Sequence, residues 1–171
     1  MMNTHTIFNP VMIRNVCSKT YLDMFMHLIP SIELWEDEEQ IAEEDYDKIN
    51  LTKLNPVLAG IAIGLMSQIY DAGGKDYFIP EIHFCGISVK DKTTKVNLHT
   101  DNWDEKKLKV LGILNSDWDN RQDGGGFIYE DMSYSLQPMN FLIFDSRQTH
   151  SNDIIFSDKE RIAVDFTVTK L

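Results

Sequence analysis

The chain has 171 residues, a 43% hydrophobic fraction and a formal net charge of -11. A chain of this length can bury about 70% of its unfolded surface in one core, so one globular domain is expected and disorder is not. The acidic balance argues against a grip on nucleic acid or anionic lipid, both of which need a basic surface.

The N-terminus, "MMNTHTIFNP", lacks the charged-then-apolar pattern of a signal peptide. The two cysteines, Cys17 and Cys85, are too few for a disulfide framework, which points to a reduced, cytoplasmic setting, and a soluble protein is expected because no apolar run is long enough to span a bilayer. From Ser18 to about Ala72 the pattern is helical. "YLDMFMHLI" repeats apolar residues at helical spacing, and so do Leu54, Leu58, Ile61, Leu65 and Ile69. The run Val57 to Met66 is the longest apolar stretch and falls far short of the ~20 residues that span a bilayer. Asn55-Pro56 before it reads as an N-cap followed by proline at the first helical position. Between these segments lies an acidic tract, 33–47, with nine carboxylates and no basic residue. It reads as a solvated face or as a docking face for a basic partner.

After Ala72-Gly73-Gly74 the texture changes. "EIHFCGISV", "KKLKVLGILN", "GGFIYE", "NFLIFDS" and "RIAVDFTV" are short β-type runs separated by turn residues. In the last, Ile162, Val164, Phe166 and Val168 share one face, and Arg161, Ala163, Asp165 and Thr167 the other. Short strands without helices between them suggest an antiparallel sandwich or jelly roll. The predicted class is α+β: one domain over 1–171, with 1–75 mainly helical support and 76–171 a β-barrel core.

The chemistry concentrates in "NLHTDNWDE", 97–105. In an extended segment, residues i and i+2 point to one side, so His99 and Asp101 can aim a ring nitrogen and a carboxylate oxygen at one point. His150, in "DSRQTHSN", is the best candidate for a third ligand. Two histidines and one carboxylate on a face, with the opposite positions open, suit non-haem Fe(II) oxygen chemistry. His-x-Asp alone decides nothing, because chance produces it readily in a chain with these counts. The case rests on Arg161, eleven residues after His150 on the polar face of the last strand. A guanidinium buried there needs an anion. That anion is either Asp165, on the same face, or the carboxylate of a ligand held by a bidentate pair.

From about Pro80 to Thr169 the chain resembles the Fe(II)- and 2-oxoglutarate-dependent oxygenases, in particular their prolyl-hydroxylase-like branch. The matching pieces occur in order. They are "HTDN" (His99, Asp101, Asn102), "ILNSDWD" (Leu114, Asn115, Asp117, Trp118) and "GGGFIYE" (Gly124, Gly125), then "FDSRQTH" (Phe144, Ser146, Arg147, His150) and "ERIAVDF" (Arg161). The resemblance implies a double-stranded β-helix, a jelly-roll or cupin-like barrel buttressed by N-terminal helices. It implies Fe(II) held by His99, Asp101 and His150, with 2-oxoglutarate on the iron and its distal carboxylate on Arg161. The implied reaction uses O2, turns 2-oxoglutarate into succinate and carbon dioxide, and hydroxylates a substrate, with ascorbate as a supporting reductant. Related halogenases lack the carboxylate, so the retained Asp101 favours hydroxylation.

The chain also departs from the pattern. Tyrosines that help hold 2-oxoglutarate in the animal oxygen-sensing prolyl hydroxylases fall on Val89 and Ile113, a threonine falls on Lys109, and Ala163 stands two after Arg161 where the family has Ser or Thr. The resemblance implies a protein or peptide side chain as substrate, proline first, with Trp103 and Arg147 beside the ligands as its contacts. The same chemistry on a free amino acid or other small molecule stays open. So does a non-catalytic 2-oxoglutarate- or metal-binding module on the same barrel.

Other residues have plainer readings. His83 and Cys85 are two apart but lack a second pair at zinc spacing, so core packing is expected. The run Gly124-Gly125-Gly126 reads as a turn entering a strand, and Trp118 as packing beneath it.

Overall fold

The computed structural model describes residues 8–29, 48–50, 56–101 and 104–171. The acidic tract, Leu54, Asn55, Asn102 and Trp103 lie outside the described residues.

The chain enters through a short strand, β1 (Val11–Ile13), and then α1 (Lys19–Leu28). Ser18 caps α1 by accepting the amide hydrogen of Tyr21 at 3.2 Å. β2 (Lys48–Asn50) precedes α2 (Pro56–Asp71), which starts on its proline as the fixed φ of that residue favours. A 3-10 turn, Gly74–Asp76, leads into the long strand β3 (Phe78–Lys90). There follow β4 (Lys107–Ile113), the one-turn helix α3 (Asn120–Asp123), β5 (Phe127–Tyr129) and β6 (Met132–Tyr134). β7 (Phe141–Phe144), β8 (His150–Asn152) and β9 (Arg161–Lys170) complete the described elements.

These strands form two antiparallel sheets. The larger runs β1-β7-β4-β9-β3-β2 and the smaller β6-β5-β8. The N-terminal segment is thus not purely helical, because β1 and β2 cap the two edges of the larger sheet. Strands of three residues carry too little alternation to announce themselves in sequence.

Period-two alternation along the larger sheet divides its contacts between two cores. Val164, Phe166 and Val168 of β9 join Cys85 and Ile87 of β3, Leu108 and Val110 of β4, and Leu22, Phe25, Leu65 and Ile69 of the helices. The helices therefore cover one face of the sheet. On the other face, Ile113, Leu142 and Phe144 meet Phe127 and Tyr129 of the smaller sheet, with Trp118, Leu136 and Ile155. Cys85 is a core residue at 1% exposure. His83 is instead partly exposed beside Thr169 (2.7 Å) at a register shift in β3, and the two do not form a metal pair. Trp118 is buried and donates its indole N–H to the carbonyl of Gly124 at 3.1 Å, which puts it under the glycine turn.

No helix among the described residues is long and apolar enough to cross a membrane.

Candidate metal centre and anion pocket

His99 and His150 sit directly opposite one another on an isolated antiparallel bridge and exchange both backbone hydrogen bonds, at 3.0 and 2.9 Å. Opposed residues of an antiparallel pair send their side chains to one face, so the two rings come together with centroids 4.7 Å apart. The Asp101 amide donates to the carbonyl of Ser146 at 2.9 Å, which extends the pairing past His99 and returns the carboxylate to the same side. One ligand atom from each of His99, Asp101 and His150 lies within 4.8 Å of the others.

The tautomers follow from the neighbours. Nδ1 of His99 is 2.7 Å from the carbonyl oxygen of Asn97, and Nδ1 of His150 is 2.8 Å from that of Gln148. A carbonyl can only accept, so each Nδ1 carries the hydrogen and each Nε2 is the atom left for the centre. Nε2 of His99 is 3.1 Å from Oδ1 of Asp101, and Nε2 of His150 is 3.4 Å from Oδ2. Neutral rings would face the carboxylate with lone pairs, so a proton or a metal cation must stand between them. Burial alone would raise the Asp101 carboxyl, but the hydrogen bonds with His150 and His99 and the Lys109 charge outweigh it and hold it well below the usual carboxylate range.

One pocket contains these three residues and Arg161, and Leu111, Phe127 and Phe144 supply apolar wall. Arg161 begins β9 and is 2% exposed. Its Nε and Nη2 are buried without a hydrogen-bond partner, and desolvation pushes its pKa down to about 10. Native proteins seldom leave buried donors unmatched, so a missing anionic partner is the simplest account of them. Asp165 does not take this part, because its Oδ2 accepts from Nζ of Lys109 at 2.8 Å. The stem of Arg161 lies against Gly125, where a Cβ would come 2.8 Å from Cδ of the arginine, and Gly125 has φ +68°.

The strand register decides which of the expected secondary contacts face the pocket. Alternation on β3 points Ser88 and Lys90 into the pocket, whereas Val89 is absent from its lining. On β4, Leu111 lines it and Ile113 packs deeper, between the sheets. Lys109 is 6% exposed and bridges Asp165 and Asp101, with Nζ 3.5 Å from Oδ2 of the latter. Ser151 and Asn152 also line the pocket, and Lys90 donates to Oδ1 of Asn152 at 2.6 Å. β8 carries them beside His150, a strand too short to be read from its three residues. Arg147 is held by Asp145, with Nε to Oδ1 at 2.9 Å and Nη2 to Oδ2 at 2.6 Å.

No family model and no curated protein matches the sequence. Solved structures do match. HygX from Streptomyces hygroscopicus, crystallised with nickel, 2-oxoglutarate and hygromycin B, aligns with a TM-score of 0.69 at 12% identity over 94% of this chain and 82% of its own. A prolyl hydroxylase from Trichoplax adhaerens, bound to a peptide fragment of the hypoxia-inducible-factor oxygen degradation domain, aligns at 0.63 and 17% identity over 94% and 83%. A prolyl-4-hydroxylase from Pseudomonas putida aligns at 0.63 and 12% identity over 94% and 92%. The chain thus shares the fold of the 2-oxoglutarate-dependent non-haem oxygenases, prolyl hydroxylases among them, and its motifs resemble theirs.

Proposed function

We propose that the chain, as a single domain over 1–171, is an Fe(II)- and 2-oxoglutarate-dependent dioxygenase that hydroxylates a protein or peptide side chain, with proline the first candidate. The observation that carries this is one pocket in which three metal-type ligands converge and a buried guanidinium lacks partners. In this reading the two sheets are the halves of a double-stranded β-helix.

The donor set fits the group it would hold. Nε2 of His99, a carboxylate oxygen of Asp101 and Nε2 of His150 would offer two imidazoles and one anion to a divalent cation, the donor set that suits non-haem Fe(II). The carbonyls of Asn97 and Gln148 orient both rings. Arg161 supplies the planar fork that matches the distal carboxylate of 2-oxoglutarate. Leu111, Phe127 and Phe144 supply the apolar wall of the same pocket. When bound, iron and 2-oxoglutarate supply the oxidation, with O2 as oxidant and succinate and carbon dioxide as products, while the protein binds and orients. Substrate contacts are assigned to Trp103 and Arg147, which flank the ligands in sequence.

A small-molecule substrate is the second reading, favoured by the similarity to HygX, whose structure contains hygromycin B. A screen of succinate release from the Fe(II)-loaded protein, with a peptide library beside free amino acids and aminoglycosides, tests both. Stimulation by proline-containing peptides is the expected outcome. Stimulation by small molecules alone would replace the first reading with the second.

A further inference from the structure

Lys109 stands where the resemblance would put a threonine, and the structure builds a site around it. Its side chain is 7% exposed, its ammonium lies 5.2 Å from the centroid of the Phe84 ring, and Oδ2 of Asp165 accepts from it at 2.8 Å. Gly86 makes room for this arrangement, since a Cβ there would come 2.6 Å from the Phe84 ring and 2.9 Å from Oδ1 of Asp165. The register explains the placement. Lys109 and Asp165 lie on the pocket-side face of neighbouring strands, with Leu111 opposite Asp165 and Thr167 opposite Lys109. From that anchor the same ammonium reaches Oδ2 of Asp101 at 3.5 Å; that oxygen also lies 3.4 Å from Nε2 of His150, while Oδ1 lies 3.1 Å from Nε2 of His99.

We propose that Lys109 is a positioning residue of the metal centre: anchored by Asp165, its ammonium holds the Asp101 carboxylate in the orientation that turns it toward Nε2 of both His99 and His150. This inference rests on the metal-centre reading above. Outer-sphere partners of ligating carboxylates typically change metal affinity 10–100-fold when removed. Lys109 also satisfies Asp165, which shares the pocket with Arg161, and so leaves the guanidinium for a ligand. One cation therefore serves both ends of the pocket.

The test measures Mn(II) affinity by electron paramagnetic resonance and the visible spectrum of the Co(II)-substituted protein, on the full chain. Lys109→Met is expected to weaken Mn(II) binding about tenfold and to alter the Co(II) bands. Because that variant strands Asp165, a second, Lys109→Met with Asp165→Asn, removes both charges and keeps the net charge of the parent. The double variant is expected to recover thermal stability yet keep the weakened Mn(II) binding and altered spectrum. Recovery of metal affinity and spectrum to the parent values would overturn the inference and leave Lys109 a mere counter-charge for Asp165. Tighter Mn(II) binding by Lys109→Met would overturn it too, since repulsion between ammonium and metal would then dominate. A parent protein that binds no Mn(II) would sink the metal-centre reading as well, and so separates the two failures.

Discussion

His99 and His150 exchange both backbone hydrogen bonds across one antiparallel bridge, at 3.0 and 2.9 Å, although 51 positions separate them in the chain. The metal-type cluster is therefore held by main-chain pairing as well as by side-chain packing. Removing one imidazole should cost the site without costing the fold. His99→Ala is the cleaner variant, because the His99 ring is partly exposed whereas His150 packs on Phe127 and Phe144. Saturable binding of one equivalent of Mn(II), followed calorimetrically, should vanish while the far-ultraviolet circular dichroism stays that of the parent.

In the proposed reading, Arg161 trades stability for ligand binding. A buried guanidinium with two unmatched donors costs the ligand-free fold roughly 1–3 kcal/mol relative to an apolar side chain of similar length. Arg161→Met should therefore raise the thermal midpoint of the ligand-free protein and abolish the further rise that 2-oxoglutarate gives the parent. A midpoint that falls would mean that the guanidinium has protein partners after all.

Gly125 positions that arginine. Its φ of +68° strains any side-chain-bearing residue by about 1–2 kcal/mol, and a Cβ would press on Cδ of Arg161 at 2.8 Å. Gly125→Ala should weaken 2-oxoglutarate binding while leaving Mn(II) affinity close to that of the parent. Equal losses of both would mark a general collapse of the pocket.

The Arg147–Asp145 pair makes a pH-dependent prediction. Burial alone would raise the Asp145 carboxyl, but Arg147 overrides it and lowers it below its ordinary value of 3.8. A lowered folded-state value stabilises the fold at neutral pH, and that contribution is lost as pH falls below about 4. Arg147→Ala strands a carboxylate that is 0% exposed, at a cost of about 3 kcal/mol near neutrality. In the variant the carboxyl is raised instead, so protonation relieves the penalty on acidification. Urea unfolding at pH 7 and pH 4 should show the gap between parent and variant narrowing at the lower pH. A constant gap would mean that Arg147 acts through packing alone.

The site was more legible in the sequence than its surroundings. His99 and Asp101 fall two apart in an extended segment, and Arg161 begins a strand of clean alternation, so both placements follow from period-two geometry. The long strands β3, β4 and β9 announce themselves for the same reason. β1, β2, β5, β6 and β8 have three residues each, fewer than alternation needs, and of these only β5 falls wholly within a β-type run of the sequence. Lys109 was legible only as a departure. Its role depends on Asp165, 56 residues away, and on a cross-strand register that local pattern does not specify. Val89 stands one position from Ser88 and Lys90, which line the pocket, and one position reverses the face of a strand.

The most direct test adds Fe(II) and 2-oxoglutarate to the protein without oxygen and records the visible spectrum. A weak charge-transfer band that requires both components, and that His99→Ala and Arg161→Met each diminish, is the predicted result. No band at saturating concentrations of both would contradict the account.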